Sequence, residues 1–279
     1  MYLGYNTNGL RDHGLLEAVD LLADLGYAGV AVSIDHGALA PGDPQTPRQL
    51  ERLSRLLEQR EMRSVIETGA RFLLDPRHKH EPTLVSPDAQ ARRRRIAFYR
   101  HALDCAAALG GDCLSLFSGV VRDGVAPEEV RARLAEGLTE VLDEAAARGV
   151  VVGLEPEPGM VIDTVDAFAA FAARLGRDDL RLTLDVGHVH CQGEGPLEAI
   201  AARCADRLVN VHVEDMRRGV HEHLMIGDGE LDFPATIAAL ASSGYRGGVY
   251  VELSRHSHMA PQAARRALEV LGPLMKSAG

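Results

Sequence analysis

Short apolar runs alternate with longer amphipathic stretches along the whole chain. The runs at 2–6, 29–33, 64–67, 113–117, 150–155, 181–185, 208–212 and 248–252 are brief and rich in Val, Leu, Ile and Tyr, which predicts eight buried β-strands. Helix-period stretches lie between them, among them 15–25, 46–60, 88–109, 127–148 and 261–275. In the stretch from Pro127, Val130, Leu134, Leu138 and Leu142 recur every fourth residue and form one apolar stripe. Gly26, Gly149 and Gly244 stand just past predicted helices, where a left-handed cap favours glycine. Strands alternating with helices predict a parallel sheet with helices outside it. Eight such units in 279 residues predict an α/β chain, a single-domain (β/α)8 TIM barrel over residues 1–279. A dinucleotide-binding open sheet fits less well, because no G-x-G-x-x-G follows the first run. The longest irregular connection, from Gly69 to about Pro87, is long enough to carry function.

Composition narrows the function classes. Hydrophobic residues make up 46% and charged residues 25%, as in soluble globular chains, and the net charge of -10 argues against a nucleic-acid partner. No apolar run reaches the ~18 residues of a membrane helix, and the N-terminus does not read as a signal peptide. Cys105, Cys113, Cys191 and Cys204 form no C-x-x-C pair and read as reduced thiols, so the expected location is cytoplasmic. A homo-oligomer stays open.

In a barrel of this kind the active site lies at the C-terminal ends of the strands. The last four predicted strands end in Glu155, Asp185, His212 and Glu252. A single strand-end acid is usually a helix cap or a solvated loop residue. Three carboxylates gathered at one rim would repel each other, and a divalent cation removes that repulsion. Oxygen ligands with one imidazole suit Mn²⁺ first, then Mg²⁺, Co²⁺ or Zn²⁺.

These residues carry a family resemblance. Leu154-Glu155-Pro156, Leu184-Asp185-Val186-Gly187-His188, Asn210-Val211-His212-Val213 and the segment from Gly227 to Phe233 resemble the xylose isomerase-like TIM barrels of the sugar phosphate isomerase/epimerase group. The resemblance runs over nearly the whole chain and implies a small sugar-like substrate. It aligns Glu155, Asp185, His212 and Glu252 with metal ligands, and Glu155 with Glu252 as the proton-transfer pair. It aligns His188 with a substrate-oxygen contact and Arg218, or its neighbour Arg217, with a substrate-binding arginine. One position departs. Ketose 3-epimerases carry another Glu six residues after the fifth-strand acid, and Val161 stands there; Glu157 could replace it if it faces the pocket.

The expected chemistry removes a proton beside a carbonyl, giving an isomerase or epimerase of a hydroxy-carbonyl sugar, sugar phosphate or keto-cyclitol. Rival readings are a metal-dependent lyase, an endonuclease IV-like phosphodiesterase and a non-catalytic partner subunit. For the phosphodiesterase, His36, His221 and His223 are the residues to weigh as further metal ligands. Softer candidates for substrate binding are Glu67, Ser118 and the cationic long connection with Arg71, Arg77, His78, Lys79 and His80. Arg255, His256 and His258 follow Glu252 and are further contacts to weigh. Arg92, Arg93, Arg94 and Arg95 read as the exposed start of a helix.

Overall fold

The computed structural model describes residues 1–278. Eight parallel strands close into a barrel: β1 (Tyr2–Asn6), β2 (Gly29–Ser33), β3 (Arg63–Glu67), β4 (Leu114–Phe117), β5 (Val152–Glu155), β6 (Leu180–Asp185), β7 (Leu208–Val213) and, last in the chain, β10 (Gly248–Val251). The helices are α1 (Leu15–Leu25), α2 (Thr46–Gln59), α3 (Ala89–Leu109), α4 (Pro127–Arg148), α5 (Val165–Leu175), α6 (Val186–Gln192), α7 (Leu197–Cys204), α8 (Phe233–Ser242) and α9 (Ala260–Ser277). The predicted eight strands and their order hold, with ends shifted by a residue or two. An antiparallel hairpin, β8 (Asp215–Arg217) and β9 (Val220–Leu224), stands on the β7 end of the barrel and was not expected.

Side-chain alternation explains why the barrel aims its acids inward. Ala31, Val65, Cys113 and Tyr250 form a small cluster distinct from the large strand–helix core. Thr183 and Ser115 join hydroxyls at 3.1 Å in the same buried interior. Side chains two apart on a strand share a face. Glu67 follows Val65, Asp185 follows Thr183 and Glu252 follows Tyr250, so these carboxylates rise above the interior plug. Tyr250 needs glycine around it: a Cβ on Gly4 or Gly248 would press into its ring. Direct pairing of Asp185 with His212 sets those two side by side.

The helix signals behave as read. On α4, Val130, Leu134, Leu138 and Leu142 are buried, and Gly149 caps it at φ 67°. Gly26 and Gly244 also have positive φ. The basic run on α3 needs correction. Arg93 and Arg94 are exposed, but Arg95 is fully buried. It heads the buried stripe of Phe98, Tyr99, Ala102 and Ala106, a helical spacing the charge run disguised. Its guanidinium donates to Thr68 O at 2.6 Å and stacks near Tyr99, Phe117 and Phe98. Among the described residues no helix is long and apolar enough to cross a membrane.

Candidate metal centre and active-site cavity

A cavity of about 460 Å³ opens at the C-terminal ends of the strands. Glu155 ends β5, Asp185 ends β6, His212 lies on β7 and Glu252 follows β10. One ligand atom from each lies within 4.8 Å of all the others. His212 Nε2 donates to Glu67 Oε1 at 2.8 Å, and Asn210 Nδ2 donates to the same oxygen at 3.1 Å. That fixes the ring so that Nδ1 faces Glu155 at 3.1 Å and Glu252 at 3.2 Å. A carboxylate behind a ligating imidazole is the usual way to set its tautomer and basicity. Glu67 therefore acts on His212, and its edge also lines the cavity. Asn8 Nδ2 donates to Glu252 Oε1 at 2.6 Å.

The residues present fit a divalent ion. Among the described residues Asp185 Oδ2 is buried with no hydrogen-bond partner, a costly state for a carboxylate oxygen unless a cation meets it. The groups also perturb one another's protonation. Burial pushes the Glu155 carboxyl up to about 8, against the pull of His212. Burial also acts on Glu252, but the His212 charge and hydrogen bond outweigh it and hold Glu252 well below the usual carboxylate range. The carboxylates of Glu67, Glu155 and Glu252 overcome burial and raise His212 well above its ordinary value.

A histidine cluster borders this group. His188 Nδ1 donates to Pro156 O at 3.1 Å, and its Nε2 lies 3.1 Å from His221 Nε2. His223 Nδ1 donates to Glu252 O at 3.1 Å. The unexpected hairpin is what brings His221 and His223 to the cavity. Glu157 faces the cavity, 3.6 Å from His221 and 3.9 Å from His188. Val161 packs on the core and donates its backbone N–H to Gly119 O. Glu214 is fully buried, with Gly187 supplying the space for it, and burial and the Asp185 carboxylate beside it push its carboxyl well above the ordinary value.

Other candidates fall elsewhere. Arg217 and Arg218 lie on the hairpin turn, outside the cavity lining: Arg217 donates to Asp228 O, and the Arg218 guanidinium lies over Gly193. Ser118 is buried, and its Oγ accepts from Ile162 N–H at 2.9 Å, which ties the β4 and β5 loops together. Arg71, Lys79 and His80 line the cavity, whereas His78 turns outward to Asp75. His36 is exposed and away from the ligand group. Asn8, Arg11 and Glu157 line the wall; only Glu157 was weighed from sequence, because the other two sit in a short loop after β1 with no motif of their own.

Comparison with known proteins places this geometry. Over 269 residues the chain is 28% identical to the L-ribulose-5-phosphate 3-epimerase UlaE of Salmonella paratyphi C, covering 95% of this chain and 91% of that one. The fold is similar to the IolI protein crystallised with a zinc atom, at TM-score 0.81 and 19% identity, covering 100% of this chain and 99% of that one. It is also similar to the 3-keto-D-glucoside 4-epimerase YcjR from E. coli, at TM-score 0.80 and 18% identity, covering 98% and 99% of the two chains. Residues 19–274 match the xylose isomerase-like TIM barrel family, and the chain belongs to that family.

Proposed function

We propose that this protein is a divalent-metal-dependent epimerase or isomerase of a small hydroxy-carbonyl sugar. The observation that carries the reading is the convergence of Glu155, Asp185, His212 and Glu252 around one point, with Asp185 Oδ2 left unpartnered. The sugar-epimerising relative over nearly the full chain supports it. Mn²⁺ suits the three oxygen ligands and single imidazole, with Mg²⁺, Co²⁺ and Zn²⁺ as alternatives. A bound ion supplies a Lewis acid for charge that develops on the substrate oxygens.

The side chains of this chain move the proton. Glu252, which follows β10, is placed to exchange the proton on the carbon beside the carbonyl from one side. Glu155, three barrel positions away across β6 and β7, is placed to act on the other side of that carbon. Two carboxylates on opposite faces invert a centre; one carboxylate serving neighbouring carbons shifts the carbonyl. His188, His221 and Glu157 are placed to bind substrate hydroxyls, and Glu157 supplies the acid that Val161 does not.

The test is a panel of ketoses, ketose phosphates and keto-cyclitols in deuterated water with Mn²⁺, followed by NMR. Exchange of the carbon-bound proton with a new stereoisomer or a shifted carbonyl is expected; loss of water would assign a lyase instead. Glu155→Gln and Glu252→Gln should each lower turnover by roughly 10²-fold or more, with metal occupancy measured in each variant. Full turnover by either metal-loaded variant would overturn the two-carboxylate reading.

A further inference from the structure

The cavity carries both signs of charge, with Asp35, Glu67, Glu155, Glu157 and Glu252 as its acids. Glu155 at the end of β5 and Glu252 after β10 line it, with Asp185 of β6 and His212 of β7 close to them. Four cations line the same cavity: Arg11 after β1, Arg71 and Lys79 after β3, and Arg255 after β10. β10, β1, β2 and β3 are successive neighbours in the barrel, so these loops share one side of the mouth. Such a gathering is notable in a chain of net charge -10.

Two of the four cations are already matched. Arg71 pairs with Asp35 at 3.2 Å and Arg255 with Glu222 at 2.8 Å. Arg11 donates only to carbonyls, Asn8 O at 3.1 Å and Ser254 O at 3.2 Å. Lys79 has no hydrogen-bond or ion-pair partner among the described residues, although it faces Arg71, Arg255 and Arg11. Partial shielding from water and repulsion by those arginines outweigh the attraction of Glu157 and hold its ammonium below the usual lysine range. Arg11 and Lys79 have no carboxylate at ion-pair distance among the described residues, and a bound anion would supply one. The backbone is also held in an uncommon shape here: Ala70, Arg71 and His80 have φ of 57°, 34° and 69°.

We propose that Arg11, Arg71, Lys79 and Arg255 form an anion site that takes the terminal phosphate of a phosphorylated ketose. Two unmatched cations suit a phosphate dianion. The acidic floor repels that same group, so phosphate docks at the rim and the carbonyl end enters toward Glu155 and Glu252. The proposal rests on the sugar-epimerising reading of this cavity and adds its substrate class.

Two experiments separate the two readings. In the first, kcat/KM for proton exchange is compared between ketopentose 5-phosphates, free ketopentoses and keto sugar acids, in the native chain and in Lys79→Met and Arg11→Met. The phosphates should be preferred, and each variant should lower the phosphate-to-free ratio by roughly 10-fold or more. Arg55→Ala, on an exposed residue outside the cavity, should leave the ratio unchanged. In the second, inorganic phosphate is titrated onto the metal-stripped protein by ³¹P NMR. Binding should be weakened in both methionine variants, and this readout needs no turnover. Phosphate binding without turnover of any sugar would retain the anion site and reject the epimerising reading. A phosphate-to-free ratio unmoved by both variants, a preference for sugar acids, or phosphate binding equal in the native and variant proteins would overturn the phosphate assignment.

Discussion

His80 ties the long β3 connection to the barrel, and acid should untie it. The ring is largely buried, edge-on to Phe117 with centroids 5.5 Å apart, and its Nδ1–H donates to Gly69 O at 2.7 Å. Burial, with repulsion from Lys79, Arg95 and Arg71, pushes its pKa down to about 4, against the pull of the Gly69 carbonyl. An unfolded histidine titrates near 6.5. Between those values the unfolded chain binds more protons than the folded one, so stability rises with pH and is lost as pH falls through the window. The full difference is about 2.5 pH units, or about 3 kcal/mol, of which about 2 kcal/mol is lost between about pH 7 and about pH 5. The comparison is His80→Asn. Asn places an amide donor near the Nδ1 position, tolerates the left-handed backbone at φ 69°, and does not titrate. Urea unfolding of both proteins, metal-stripped, at several pH values gives the difference curve, in which other titrating groups cancel. The native protein should lose about 2 kcal/mol more than the variant on going from about pH 7 to about pH 5. Parallel curves would show that His80 is not held neutral by its surroundings.

Two further outcomes follow from the ligand group. Glu67→Gln keeps the side-chain shape but replaces the carboxylate that receives the His212 Nε2 proton, so metal affinity should fall by about 10–100-fold in a calorimetric titration; unchanged affinity would remove Glu67 from that role. Metal binding should also release protons. Glu155 holds one up to about pH 8 and His212 is raised well above its ordinary value, so affinity should tighten as pH rises toward 8. Titrations in two buffers of different ionisation enthalpy measure the release, and a proton count of zero would contradict it.

Much of this site was legible because strand ends are legible. Asp185 and His212 close apolar runs, and a period of two carries each inward once one interior neighbour is known. Bringing Glu155, Asp185, His212 and Glu252 together needed no long-range knowledge beyond barrel closure. Residues outside that pattern were harder. The β8–β9 hairpin has strands of three and five residues and only Gly219 to mark its turn, so His221 and His223 had no predicted place. Arg217 and Arg218 followed the family alignment, but the same hairpin carries them to its turn, outside the cavity. Arg95 was hidden in a basic run, although its spacing to Phe98, Tyr99 and Ala102 was the available signal. Arg11 and Arg255 come from loops flanking β1 and β10, strands at opposite ends of the sequence, and only barrel closure makes them neighbours.

Anomalous diffraction from a crystal loaded with Mn²⁺ tests the central reading most directly. One ion per chain is expected, with oxygens of Glu155, Asp185 and Glu252 and Nδ1 of His212 each about 2.0–2.6 Å from it. Asp185 Oδ2, which has no hydrogen-bond partner among the described residues, should be among the ligating atoms. An anomalous peak held by His188, His221 and His223 instead, or Asp185 turned away from a shared ion, would contradict the assignment of the metal centre.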